Sequence, residues 1–589
     1  MLIIPEERKI SCEILKDQVD ASVGRIPSDL YVKNVKIVDV YTETVFDGSF
    51  LVKHGKIVNI NPGFSPEAAR IVDGEGAFAL PGFIDPCTHI DCSLVMPDAL
   101  AAGYTPWGTT TVVGEINDLA AAQRENGVEA IHAYMKDRER LPFRMLCLAP
   151  GKGVDGEITA RLLQDPDIAG QGENQGIFTL EGQRATLEKV VHNRVNQIYT
   201  NGHCEPFAST DEMCPFAICG AGVDHEAWTF EAVFERHRRG IRTSIQYMQG
   251  WDQFDLMIRE IILNRRLPAS NFMFAGDNTY IHDMVDHGIL NLMVERAIKL
   301  GLSPVTAIKM ATFNTAQELG LLQYIGSITP GRYADFSLVA DLCSMTPKAV
   351  YKGGELVAQN GKLVSPVHIN YDYFRTQHWT KGFQTLTVDE LKGFFSAEGL
   401  PGNDDGCVLF PAISRAPEDR DHADSVFADG SCLLDLWVPC KDGTVQSDRK
   451  GDLLKVLFVE RHADANGKRR FGRKIYHGFG FEKGALVMPH LTQIEGYVVL
   501  GASEEDMLCA LRAADEYSGA VVYACDGQVQ TCFDLNYASM ISSSDAYTVT
   551  DSIHKLSQIL HEQGCKREQI LIDLWTAGFP LKNAPYFDI

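Results

Sequence analysis

The run Pro81-Gly82-Phe83-Ile84-Asp85-Pro86-Cys87-Thr88-His89-Ile90-Asp91 constrains this chain more than any other feature. It reads as a buried β-strand. Residues i and i+2 of a strand share a face, so Cys87 and His89 project into one pocket. A thiolate and an imidazole both suit Zn²⁺ or a similar metal. At this point a core cysteine beside a hydrogen-bonded histidine is an equally good reading.

From about Pro81 to Ile325, short apolar runs alternate with helical patterns, as βα units around a parallel sheet do. About 240 residues suit a (β/α)₈ barrel, which gathers its ligands at the C-terminal ends of its strands. Ser303 as N-cap, Pro304 at the first helical position and Gly320 as a stop predict one helix between them. Upstream, Leu30–Val40 and Ser49–Ile60 alternate apolar and polar side chains. Turns are expected at Asp47-Gly48 and His54-Gly55. Similar patterns return at Ile328–Val339 and Ala349–Val357, so the two flanks of the barrel are expected to build one small β-sandwich. Beyond them, strands at Leu454–Val459 and Tyr497–Leu500 and helices at Ser503–Tyr517 and Asp551–Gln563 predict a further α/β domain. The runs Ala397–Asp405 and Arg461–Arg473 read as surface loops. The expected division is 1–80 and 326–370 for the sandwich, 81–325 for the barrel and 371–589 for the C-terminal domain.

Three more places put metal-binding side chains where strands should end: His203 after Val195–Tyr199, His225 after Ala217–Val223, and Asp277 after Phe272–Gly276. The chain has 589 residues, too many for one core. With 54 Lys plus Arg against 78 Asp plus Glu, its formal charge of −24 disfavours nucleic acid and anionic lipid as partners. The 15 cysteines show no framework spacing, and no apolar run nears the roughly 20 residues of a membrane span. A cytoplasmic protein with reduced thiols is expected.

The segment from Pro81 resembles the first barrel strand of metal-dependent amidohydrolases, and most of all that of adenine deaminases. Their Pro-Gly-Phe-Ile-Asp-x-His-x-His continues to Gly-Thr-Thr-Thr-Val-Val, here Gly108–Val113. The likeness runs from about Leu30 to Ile589. The chain departs from it at Cys87 (His in the family), at Asp91 (Glu), and at Gly114-Glu115-Ile116-Asn117-Asp118 (Ala-Asp-Pro-His-Glu). In the C-terminal domain Gln493-Ile494-Glu495-Gly496 stands where the family has Asp-Ser-His-Asn.

The resemblance implies an α/β fold with an amidohydrolase barrel, a flanking β-sandwich and an additional C-terminal α/β domain. It implies His89, His203, His225 and Asp277 as metal ligands, with Cys87 either completing the set or lining the pocket. The divalent metal would be Mn, Fe or Zn, one or two ions per chain. For the bridging carboxylate, alignment of Gly176–Gly182 on the family's Gly-Glu segment points to Thr179, with Glu181 on the same strand face. The implied reaction is hydrolytic deamination of adenine, or of a related purine or cyclic amidine, with Asp277 moving the proton. Glu115, Asp118, Glu205 and His282 are unranked candidates for protonating the ring. A catalytically impaired ligand-binding relative and a cyclic amide hydrolase are the alternatives, and a homodimer is the expected assembly.

Overall fold

The computed structural model describes residues 4–152, 154, 156–204, 209–248, 250–371, 383–426, 431–460, 471–490, 496–517 and 519–582. The chain divides into two units. The first comprises Met1–Ser93, Pro97–Ala120 and Arg124–Phe374; the second is Arg375–Ile589 with the short pieces Leu94–Met96 and Ala121–Gln123.

In the first unit the strands before the barrel are β1 (Ser28–Asp39), β2 (Thr44–Lys53), β3 (Lys56–Ile60), β4 (Ala68–Asp73) and β5 (Phe78–Pro81). The barrel strands are β6 (Phe83–His89), β7 (Thr109–Glu115), β8 (Arg144–Ala149), β9 (Ile168–Gln175), β10 (Tyr199–His203), β11 (Val223–Asp224), β12 (Arg242–Gln246) and β13 (Phe272–Ala275). After it come β14 (Phe336–Val339), β15 (Pro347–Lys352), β16 (Glu355–Gln359) and β17 (Lys362–Leu363). The flanks join where β14 pairs antiparallel with β5, giving one nine-stranded sheet. Strands β2 and β14 stand three steps apart in that sheet, about 14 Å at the usual strand spacing. Yet the rings of Phe50 and Phe336 meet edge to face at 5.1 Å. The sheet therefore folds over its own apolar face, where Leu30, Val32, Phe50, Phe336 and Tyr351 form a shared core.

The hairpin between β2 and β3 turns at His54-Gly55 with φ of 48° and 75°, the mirror-image turn that suits strand twist. Asp47-Gly48 is not a turn. It lies inside β2, and a Cβ on Gly48 would sit 2.8 Å from Cδ1 of Ile37 on β1, so this glycine serves close packing.

Strands β6 to β10 form a parallel sheet of five and β11 to β13 a parallel sheet of three. Every residue of β6, β7, β8 and β13 is buried, as expected of parallel strands covered on both faces. The ring closes between the first and last strands. Asp277 N donates to Cys87 O at 3.0 Å and His89 N donates to Asp277 O at 3.3 Å. The helix expected from Ser303 to Gly320 is two helices, Pro304–Met310 and Phe313–Glu318. The break has a cause: the Ala311 carbonyl turns to accept from Ile84 N of β6, while the Thr312 hydroxyl donates to Ile308 O.

The second unit centres on the strand Leu453–Glu460, paired antiparallel with Phe471–His477 on one side and Gly496–Gly501 on the other. Helix Glu504–Glu516, capped by Ser503, packs Met507 and Leu511 into its core. Helix Ala546–Glu562 begins earlier than Asp551 because Asp545 caps it. Of the expected loop Arg461–Arg473, residues 461–470 lie outside the described residues. Phe471–Arg473 open a strand, with the Phe471 ring stacked on Phe394. Among the described residues no helix is long and apolar enough to cross a membrane.

One histidine away from the barrel mouth makes stability depend on pH. His237, on helix Phe230–Arg238, packs against Phe272 at 4.9 Å and faces Thr243 Oγ1 at 3.1 Å. Burial, aided by the Arg242 charge, pushes its pKa down to about 4. In the unfolded chain a histidine titrates near ~6.5. Its contribution is therefore fully present above that pH and is lost as pH falls from there toward 4, because only the unfolded state takes up the proton. His237→Asn should make the acid limb of the urea-midpoint profile shallower between pH 6.5 and 4. An unchanged slope would count against this assignment.

Candidate metal centre

The barrel mouth gathers side chains from five strand ends. His89 closes β6, His203 closes β10, His225 follows β11 and Asp277 follows β13. Their shared neighbour is Glu173 on β9, which sequence reading missed. Its Oε1 lies 3.1 Å from His225 Nε2, 3.5 Å from His89 Nε2 and 3.6 Å from His203 Nδ1. His89 Nε2 is also 3.5 Å from Asp277 Oδ1, and His203 Nδ1 is 3.1 Å from His225 Nε2. Donors bound about 2.1 Å from one ion lie roughly 3.0 Å apart in an octahedral shell and roughly 3.4 Å apart in a tetrahedral one, so these separations are in the range of a divalent ion held by imidazole and carboxylate.

The positions of these groups are fixed from behind. Asp277 adopts φ of 58°, and its carbonyl accepts from both His89 N and Thr88 Oγ1. Asp85, wholly buried on β6, accepts from Gly276 N and Cys87 N and so ties the first strand to the last. Burial raises its carboxyl to about 7. Asp224, beside His225, accepts from Cys204 N at 2.8 Å and pairs with the fully buried Arg236.

Glu173 is buried, and its other oxygen, Oε2, pairs with the buried Lys152 ammonium from the loop after β8. Burial works against a charge on Glu173, but Lys152 and His203 outweigh it and hold its pKa well below the usual carboxylate range. Burial likewise opposes charge on the histidines, and the Glu173 carboxylate reverses this, lifting His89 to about 9 and His225 to about 10. Glu226 lies 3.6 Å from His225 and 3.9 Å from His203, and burial raises its carboxyl.

Cys87 offers its sulfur within 4.8 Å of donor atoms on Glu173 and His225. Asn201 Nδ2 donates to it at 3.2 Å, while burial and then Glu115 push the thiol pKa far up. His89 also belongs to a second buried group, with Asp91, Cys92 and Asp118, in which Cys92 Sγ donates to Asp118 at 3.0 Å. There burial and the Asp118 carboxyl raise Asp91 to about 7.

The expected bridge is corrected. Gly176–Leu180 is a helix, not a strand. Thr179 Oγ1 donates to the Gly176 carbonyl, and Glu181 is exposed and bound to Gln183. The readable signal was Gly172-Glu173 itself, a Gly-Glu pair a few residues upstream. Of the ring-protonating candidates, Glu115 accepts from Asn201 at 2.9 Å and Asp118 from Cys92. His282 lies on helix Ile281–His287, 3.9 Å from Asp283. Glu205 and Glu495 lie outside the described residues. Asn117 is buried, its amide 3.4 Å from Glu115.

Residues 235–357 match the amidohydrolase family model, and residues 433–585 match that of the adenine deaminase C-terminal domain. The chain is 33% identical over 563 residues to an adenine deaminase of Desulforamulus reducens, covering 94% of this chain and 92% of that protein. It is 27% identical over 567 residues to an adenine deaminase of Lysinibacillus sphaericus, covering 93% and 91% respectively. An adenine deaminase of Desulfatibacillum aliphaticivorans is 28% identical over 584 residues, with 96% of each chain covered.

Proposed function

Because the chain belongs to the adenine deaminase family, we infer that it hydrolyses adenine to hypoxanthine and ammonia at the barrel mouth, with a divalent metal held by His89, His203, His225, Glu173 and Asp277. In this reading residues 81–325 are the catalytic barrel, 1–80 and 326–370 the flanking sandwich, and 371–589 the C-terminal domain. The likeness over 94% of the chain carries the choice of reaction. The donor set around Glu173 Oε1 supports the metal dependence. Mn, Fe or Zn bound there would acidify water enough to make a nucleophile at neutral pH.

The chain's own groups supply the remaining work. Asp277 Oδ1, beside His89 Nε2, takes the proton of the attacking water and delivers it to the departing ammonia. Attack at an amidine carbon also needs a proton on the adjacent ring nitrogen. Glu115 and Asp118 are engaged with Asn201 and Cys92, and Glu226 faces the histidine pair. Glu226 is therefore our candidate for that proton. Purified protein supplied separately with Mn²⁺, Fe²⁺ and Zn²⁺ should release ammonia from adenine with matching hypoxanthine. Ring opening of cyclic amides without any turnover of adenine would replace this reading.

A further inference from the structure

We propose that Lys152 acts as a built-in cation that keeps this centre to a single metal ion per chain. The proposal rests on the reading of the barrel mouth as a metal site. It begins with how the lysine is placed. The loop after β8 lies flat against β9, and a Cβ on Gly151 would stand 2.1 Å from the Glu173 carbonyl oxygen and 2.5 Å from that of Gly172. Only glycine permits that approach. The Thr159 hydroxyl, donating to Pro150 O at 2.8 Å, holds the loop in place. The next residue, Lys152, is thereby delivered beneath the Glu173 carboxylate, with both side chains buried.

A carboxylate that joins two ions commits one oxygen to each. Here Oε1 faces His89, His203 and His225, and Oε2 belongs to the ammonium. A second ion on Oε2 would have to displace a buried ammonium or share an oxygen with it, like charge against like. Cys87, with its sulfur within 4.8 Å of donor atoms on Glu173 and His225, offers one sulfur where the family has a second imidazole. Lys152 and Cys87 act together, one filling the bridge and the other thinning the donors. Restoring a histidine at position 87 alone should therefore not restore a second ion.

The test is metal counting on the full chain after loading with Mn²⁺ and desalting, read by elemental analysis and by electron paramagnetic resonance, in which a coupled pair differs from an isolated ion. Wild type, Cys87→His and Cys87→His with Lys152→Arg should each hold one ion with an uncoupled spectrum. Cys87→His with Lys152→Gln should hold two, with a coupled spectrum. Cys87→His with Lys152→Met gives a parallel arm should the glutamine variant not fold. Two ions in wild type or in Cys87→His alone would overturn the proposal, as would one ion in both neutral-152 double variants. No ion in wild type would instead overturn the metal-site reading on which it rests.

Discussion

Asp277→Asn is expected to lower kcat for adenine by about 10³-fold, the middle of the range for loss of a positioned general base. KM should change little at saturating metal, while metal affinity should also fall, because the amide is a weaker ligand than the carboxylate. The geometry makes this a clean substitution. The backbone of Asp277 is locked into the barrel closure by its N–H to Cys87 O and by its carbonyl to His89 N and Thr88 Oγ1, none of which involves the carboxyl. The left-handed φ of 58° is one that asparagine also tolerates. Asparagine keeps an oxygen near His89 but cannot hold a proton between water and ammonia. Activity within tenfold of wild type would remove Asp277 from the proton path and move that role to Glu226.

The histidines and Asp277 were legible because each follows a short apolar run, and parallel barrels deliver chemistry at strand ends. Position 87 was legible by strand alternation with His89. What escaped was a matter of register and of partners. Gly176-Ile177-Phe178-Thr179-Leu180 has a strand-like composition, and reading it as a strand drew the bridging position onto Thr179 and Glu181, whereas the segment folds as a helical turn. The carboxylate that the structure places among the three histidines precedes it, near the end of β9, where Gly172-Glu173 carries no periodic signal of its own. Lys152 was invisible for a different reason. Its significance lies wholly in a partner 21 positions away, across two adjacent strands, and no local pattern encodes that pairing. The flanks fared similarly. Alternation marked the strands, but Asp47-Gly48 looked like a turn only because its packing against Ile37 is a tertiary fact.

Glu173→Gln should have the largest effect on this protein, and on two measurable quantities at once. The amide removes the charge that draws His89, His203 and His225 to one oxygen, so metal affinity should fall by more than about 100-fold, exceeding the loss usual for partners that merely orient a ligand. It also strands the buried Lys152 ammonium, which should cost about 3–5 kcal/mol of stability, as breaking a buried pair does. The two effects can be separated. Adding Lys152→Met to Glu173→Gln removes the orphaned charge, so the urea midpoint of the double variant should lie closer to wild type than that of Glu173→Gln alone. Metal content should stay lost, because the shared oxygen ligand is still missing. If Glu173→Gln instead keeps its ion through dialysis against a chelator, Glu173 is only a structural partner of Lys152, and the imidazoles with Asp277 must hold the metal without it.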